Sequence, residues 1–182
     1  ASTQGVCRHV GAVLLDSKRV TAKLERIVVL EDAFEQADAE IADLLRTLLE
    51  LMSDDLPPMA HGRIAPEGFD PWREAFRIIQ AYETWQTFGG FVTRQKPKIG
   101  PGVRERMAFA ATVTEAQADA ARAVHTKARA HIRDVAKPGT ILALPTSPTI
   151  PPLAATSAEG LDDFRTRVMR MIVTASISGL PQ

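Results

Sequence analysis

The groups in this chain that could break a bond or hold an ion are hydroxyls, imidazoles, carboxylates and one thiol. The hydroxyls with the most constrained setting lie between Ile141 and Pro152, ILALPTSPTIPP, where four residues that read as a buried strand run into four prolines interleaved with Thr146, Ser147 and Thr149. Proline fixes φ, so such a loop keeps its hydroxyls aimed before any ligand arrives. A ligand beyond the strand end is one reading of this loop, and a strand-end turn with no ligand is the other.

The histidines are His9, His61, His125 and His131. His125 and His131 share a predicted helix but are six residues apart, roughly 120° around its axis. An i, i+4 pair would share a ligand face and these do not, so no metal site is expected. The carboxylate pairs Asp54-Asp55 and Asp162-Asp163 fall at predicted helix ends. There the second pair favours a helix N-terminus and the first is solvated loop. Cys7 adjoins Arg8 and His9 in sequence, but neighbours on a helix point to different faces, so it reads as a small buried residue. The segment TRQKPKIGPGVRERM, residues 93–107, carries Arg94, Lys96, Lys98, Arg104 and Arg106. It could hold phosphates, but it spells neither a P-loop nor a dinucleotide fingerprint, and a solvated turn and helix face is the plainer reading. The stripe Tyr82, Trp85, Phe88 and Phe91 is either core or the lining of an apolar pocket.

The elements that must position these groups follow from periodicity and turn chemistry. Residues 6–16 read as a helix on Val6, Val10, Val13 and Leu14, and residues 26–32, RIVVLED, as a short buried strand. Asp38 is placed to cap a helix with Ile41, Leu44, Leu45, Leu48 and Met52 on one face, ending near Asp54. Residues 55–69, rich in Pro and Gly, read as an exposed connection. Asp70-Pro71 opens a helix that carries Trp72, Phe76 and Ile79 and is expected to end or kink at Gly89-Gly90. A short helix over 102–111 follows, then a capping box at Thr114–Gln117 and a helix running to about Ala136. Strand 140–144, the proline loop and a last helix showing Leu161, Phe164, Val168, Met171, Ile172 and Ala175 complete the chain. Only two strands are convincing, they are more than a hundred residues apart, and both read as inner strands. Two such strands do not make a stable sheet, so the chain is expected to be part of a larger α/β unit.

Composition narrows the function classes. The 182 residues are 45% hydrophobic and 24% charged, with a formal net charge of zero. This is a globular composition, and no nucleic-acid partner is expected. The single cysteine excludes an intrachain disulfide and fits a cytoplasmic setting. No apolar run approaches the ~20 residues of a membrane span, and the N-terminal sequence lacks a signal-peptide pattern.

Three ordered stretches carry a family resemblance: EAFRIIQAYETWQTFGGFV (74–92), KPKIGPGVRERM (96–107), and ILALPTSPTIPP (141–152) followed by TASISGLPQ (174–182). Together they resemble the C-terminal part of an amidase signature family hydrolase, most similar to bacterial amidases related to indole-3-acetamide hydrolase. RHVGAVLLD at 8–16 and VVLEDAFEQADAE at 28–40 resemble the segment that follows the catalytic core of those enzymes. The resemblance implies an α/β fold of helices on a mixed sheet, of which residues 1–182 would be a single partial domain. It implies hydrolysis of a small carboxamide to carboxylate and ammonia by a Ser–cis-Ser–Lys triad, without metal or cofactor. It also implies that Pro145, Thr146, Ser147 and Pro148 form one wall of the substrate pocket, with Trp85 and Phe88 near another. The chain departs from the family in its Gly/Ser-rich signature. None of Ser2, Ser17, Ser53, Ser147, Ser157, Ser176 and Ser178 stands in a Gly-Gly-Ser or Gly-Ser-Ser context. No catalytic residue can therefore be assigned, and these residues alone are expected to be inactive. Two rivals share this fold: a non-catalytic scaffold that binds a partner, and one chain of a split amidase whose complementary chain brings the triad.

Overall fold

The computed structural model describes residues 4–14 and 23–181. The helix predicted over 6–16 is α1, Gln4–Leu14; Leu15, Asp16, Ser2 and Ser17 lie outside the described residues. Cys7 is exposed on this helix rather than buried as its size suggested.

A three-stranded parallel sheet organises the rest, with β1 (Arg26–Leu30) between β2 (Met59–Gly62) and β3 (Thr140–Ala143). β1 is apolar from Ile27 to Leu30 because it is covered on both faces there, as a central parallel strand must be. Its alternate residues divide between two cores. Val28 and Leu30 pack with Ile64, Phe69, Trp72, Ile132, Val173 and Ile177, whereas Ile27 and Val29 pack with Phe34, Ala42, Leu45 and Leu49. The register is set so that residues opposite each other share a face: Val28 pairs with Leu142, and Val29 with Ala143.

One face of the sheet is covered by α3 (Ala39–Leu51). The other is covered by α4 (Asp70–Gln95), α6 (Glu115–Val135) and α7 (Ala158–Ser178), with α5 (Val103–Ala110) packed on α4. A one-turn helix α2 (Glu31–Phe34) follows β1 directly. Local chemistry fixes the helix ends. The Thr114 hydroxyl accepts from the Gln117 N–H at 3.3 Å while the Gln117 side chain accepts from the Thr114 N–H at 2.9 Å, the capping box read from sequence. Ser157 caps α7, accepting from the Gly160 N–H at 3.1 Å, and Gly179 ends it in a left-handed conformation.

The structure differs from the sequence expectations in four further places. The supposed exposed connection 55–69 contains β2, and its Ile64, Ala65 and Phe69 are buried. The strand predicted over 26–32 stops at Leu30, because Asp32 turns inward to bind backbone amides. α4 continues through Gly89-Gly90 to Gln95, with Lys96 as its left-handed terminus. The inward face of α3 is rotated from the one predicted: Leu45 packs on the core as expected, but with Ala42 and Leu49, while Leu44, Leu48 and Met52 are exposed; on α7 Met171 is buried as its place in the apolar stripe suggested, together with Val173, Thr174, Ile177 and Ser178.

Candidate functional site

The carboxyl ends of the parallel strands are where ligands bind in open α/β sheets, because loops diverge there and leave a crevice. In this chain that end is formed by the residues after Leu30, after Gly62 and after Ala143. The proline loop, 144–152, therefore stands where the sequence placed it, at the exit of β3. Pro145 and Pro148 are fully buried and anchor it, Ser147 is half-buried and Thr146 is exposed. The Ser147 hydroxyl donates to the Thr149 carbonyl at 2.7 Å, and the Pro148 carbonyl accepts from the Asp38 N–H at 2.8 Å. The loop is thus pinned to the turn between α2 and α3.

Next to that turn, at the ends of β1 and β2, is a polar cavity of about 230 Å³ lined by Asp32, Glu35, Gln36, Arg63, Asp70 and Arg170, among others. Two of the ion pairs at its wall are bidentate. Arg63 reaches Glu35 at 2.5 and 2.8 Å, and Arg170 reaches Asp70 at 2.9 and 2.7 Å. Arg167 ties the same region together, donating to the Gln36 carbonyl at 3.0 Å and to Asp38 at 2.6 Å. The Arg63 guanidinium holds the Glu35 carboxyl below its ordinary range, and Arg170 does the same to Asp70. These carboxylates stay ionised at neutral pH, which suits them to hold a polar ligand rather than to donate a proton.

Sequence reasoning missed Asp32. Its carboxylate is buried and accepts from the backbone N–H groups of Ile64 at 2.8 Å, Ala65 at 2.7 Å and Ala33 at 3.1 Å. It joins the end of β1 to the end of β2, and thereby shapes the floor of the cavity. A lone Asp after an apolar run gives no sign of partners thirty residues away. His131 braces the same segment, its Nε2 lying 3.0 Å from the Ile64 carbonyl.

Trp85 and Phe88 stand elsewhere, on the second half of α4. Trp85 lines one cavity beside α5 and Phe88 lines another, and residues 145–148 line neither. The structure therefore groups Pro145, Thr146, Ser147 and Pro148 at one end of the sheet and the two aromatic residues beside α5.

No described serine hydroxyl is hydrogen-bonded to a basic side chain; Arg133 reaches Ser178 only at its backbone carbonyl, at 3.0 Å. Ser147, Ser157, Ser176 and Ser178 bond to backbone groups, so their hydroxyls serve the loop and the helix ends. Among the described residues no group of three or more His, Cys, Asp and Glu is placed to hold a metal ion. No described helix is long and apolar enough to cross a membrane.

No protein-family model matches the chain. Its sequence is 27% identical over 108 residues to Amidase 1 of Arabidopsis thaliana, covering 59% of this chain and 25% of that protein. It is 34% identical over 94 residues to Amidase 1 of Oryza sativa subsp. japonica, covering 50% of this chain and 21% of the relative. A third relative, the chloroplastic Outer envelope protein 64 of Arabidopsis thaliana, is 26% identical over 106 residues, 58% of this chain and 18% of its own length. Matches thus span no more than a quarter of these curated relatives. A crystal structure of an amidase superposes on 91% of this chain with a TM-score of 0.75 at 18% identity, using 39% of its own residues. The chain is therefore similar in sequence to plant amidases over half or more of its length, and it has the fold of part of an amidase.

Proposed function

We propose that the chain is the pocket-wall and helical-layer portion of an amidase that hydrolyses a small carboxamide to carboxylate and ammonia. The observation that carries this reading is the placement of the proline loop at the carboxyl end of β3 in a fold shared with an amidase. Pro145 and Pro148 lock the loop, so Thr146 and Ser147 are available to border a substrate without ordering cost. The Ser–cis-Ser–Lys triad comes from sequence outside these residues, either elsewhere in a longer protein or on a complementary chain. Neither metal nor cofactor is needed, and with a single cysteine the cytoplasm is the fitting compartment.

The open side of the sheet supports an incomplete fold. β3 pairs only with β1 among the described residues, and a cavity of about 240 Å³ lies along it, lined by Ile141, Leu142, Leu144, Thr174 and Leu180 among others. The Thr174 hydroxyl in that lining is buried and has no hydrogen-bond partner among the described residues. Buried hydroxyls are rarely left so, and a further polypeptide segment here would satisfy it.

The test is ammonia release from a panel of aryl and alkyl carboxamides by the purified protein, alone and mixed with any chain that co-purifies. Hydrolysis that falls when Thr146 and Ser147 are both replaced by Ala supports the reading. Absence of turnover from the protein and from every mixture would sink it. That outcome would favour a second reading, a non-catalytic amidase-like scaffold that binds a partner, which already fits the backbone-bonded serines.

A further inference from the structure

The basic segment that follows α4 has a cavity of its own. About 630 Å³ in volume, it lies between the end of α4, residues 96–99 and α5. That is within the roughly 300–1,000 Å³ of small-ligand sites. Its apolar lining includes Trp85, Ile99 and Met107, and its cations are Lys96, Lys98 and Arg104. No carboxylate lines it. Neither lysine is paired with an acid among the described residues, and Arg104 has only a loose contact with Glu105 at 3.6 Å.

The aromatic wall is built into α4. A Cβ placed on Gly89 would lie 2.7 Å from Trp85 ring carbons, so the indole packs directly against the glycine one turn on. A larger residue there would push the ring off the helix. Lys96 ends α4 in the left-handed region at φ 43°, which turns the chain so that residues 96–99 line the cavity. The lining thus combines an indole and other apolar side chains with three cationic ones.

We propose that this cavity binds an organic phosphate carrying an apolar group. A phosphate monoester carries about −1.5 to −2 charge at neutral pH, which matches two uncompensated lysines and a partly compensated arginine better than a monocarboxylate does. The apolar group lies on Trp85 and Met107 while the phosphate faces Lys96, Lys98 and Arg104. The site stands apart from amide hydrolysis and does not depend on it.

The test is a titration of the intact protein with monomeric decyl phosphate, followed by calorimetry and tryptophan emission. Decanol and inorganic phosphate are the comparison ligands. Decyl phosphate is expected to bind and to shift the emission, and the shift is expected to vanish in Trp85→Phe. The pair Lys96→Asn and Lys98→Gln is expected to weaken binding on the order of tenfold, since exposed ion pairs contribute up to about fivefold each. Asn accepts the left-handed backbone at 96, so circular dichroism of this variant should be unchanged. Decanol binding as tightly as decyl phosphate, or a double variant that binds normally, would overturn the proposal. Phosphatidylcholine vesicles with and without phosphatidic acid identify the source. Monomer binding together with capture by the anionic vesicles assigns a lipid, and monomer binding alone assigns a free phosphate ester. Capture by vesicles without monomer binding would refute the cavity and leave only surface charge.

Discussion

At the residue scale, the side chain with most depending on it is Asp32. Three backbone N–H groups end on one buried carboxylate. Truncation leaves those donors without their partner, at a cost of about 1–3 kcal/mol for each that finds no water. Asp32→Ala is expected to lose about 3–5 kcal/mol in a urea melt, with Asp32→Asn losing less because the amide oxygen still accepts. Equal loss in both variants would contradict the geometry. Glu31 next to it behaves differently. Its carboxyl meets Arg46 at 2.6 and 3.1 Å and His61 at 2.5 Å, and the Arg46 bond, then the His61 bond, lower its pKa from the ordinary 4.5 to about 2. A depressed carboxyl contributes stability that is complete above the unfolded value and is lost as pH falls through the folded one. The stability difference between the native protein and Glu31→Gln is therefore expected to be fully present near pH ~5 and to shrink as pH falls between about 4.5 and 2. A difference that stays level across that window would show that Glu31 is not ion-paired. Neither role was legible beforehand, because both carboxylates sat inside what read as the end of a strand. Their partners at 61, 64 and 65 come near only when β2 joins β1, and Arg46 only when α3 packs on the sheet.

At the element scale, what the sequence disclosed depended on how local the cause was. The Thr114 capping box, the Asp70-Pro71 helix start and the β1 and β3 runs are written in adjacent residues, and all three kinds of signal are found in the structure. β2 was hidden because Met-Ala-His-Gly has no β-branched residue and follows two prolines. It is a strand only because β1 offers it a register from Ile27–Met59 to Leu30–Gly62. The face of α3 was misread for a related reason. Counting large apolar residues selects Leu44 and Leu48, whereas the sheet admits small Ala42 and keeps those leucines outside. Gly89-Gly90 looked like a stop but is a packing device. This yields a paired prediction. Glycine inside a helix normally costs about 0.5–1 kcal/mol relative to alanine. Gly90→Ala should recover that, since its Cβ would meet only the movable end of Arg94 at 3.2 Å. Gly89→Ala should instead destabilise by about 1 kcal/mol and change Trp85 emission, because its Cβ would meet the indole at 2.7 Å. Thermal melts of the two variants moving in the same direction would refute the distinction.

At the scale of the whole molecule, the sheet is the feature that links structure to the proposed activity. An α/β sheet with one covered strand and an open β3 edge has unpaired backbone groups and apolar side chains on its rim. Ile141 is 38% exposed there, and Thr174 beneath it is 3% exposed with its hydroxyl unpartnered. The sequence carried part of this message: runs too few to close a sheet, and a resemblance to enzymes whose sheet is larger. The location of the opening came only from the packing of α7 against β3. Two substitutions separate an edge that is always open from one that another segment covers. If the edge is open, Thr174→Val removes a hydroxyl that bonds to nothing, so stability should hold or rise by up to about 1 kcal/mol. Ile141→Lys should then suppress aggregation with little effect on the melt, since a charged residue blunts an exposed edge. If a further segment lies along β3 in the working protein, both outcomes reverse. Thr174→Val would lose a made hydrogen bond, and Ile141→Lys would bury a charge, costing several kcal/mol and any amidase activity with it. Chemical denaturation and light scattering of the two variants, on the 182-residue chain and on the protein with its co-purifying partner, would show which holds, and the split-amidase reading requires the reversal to appear only in the mixture.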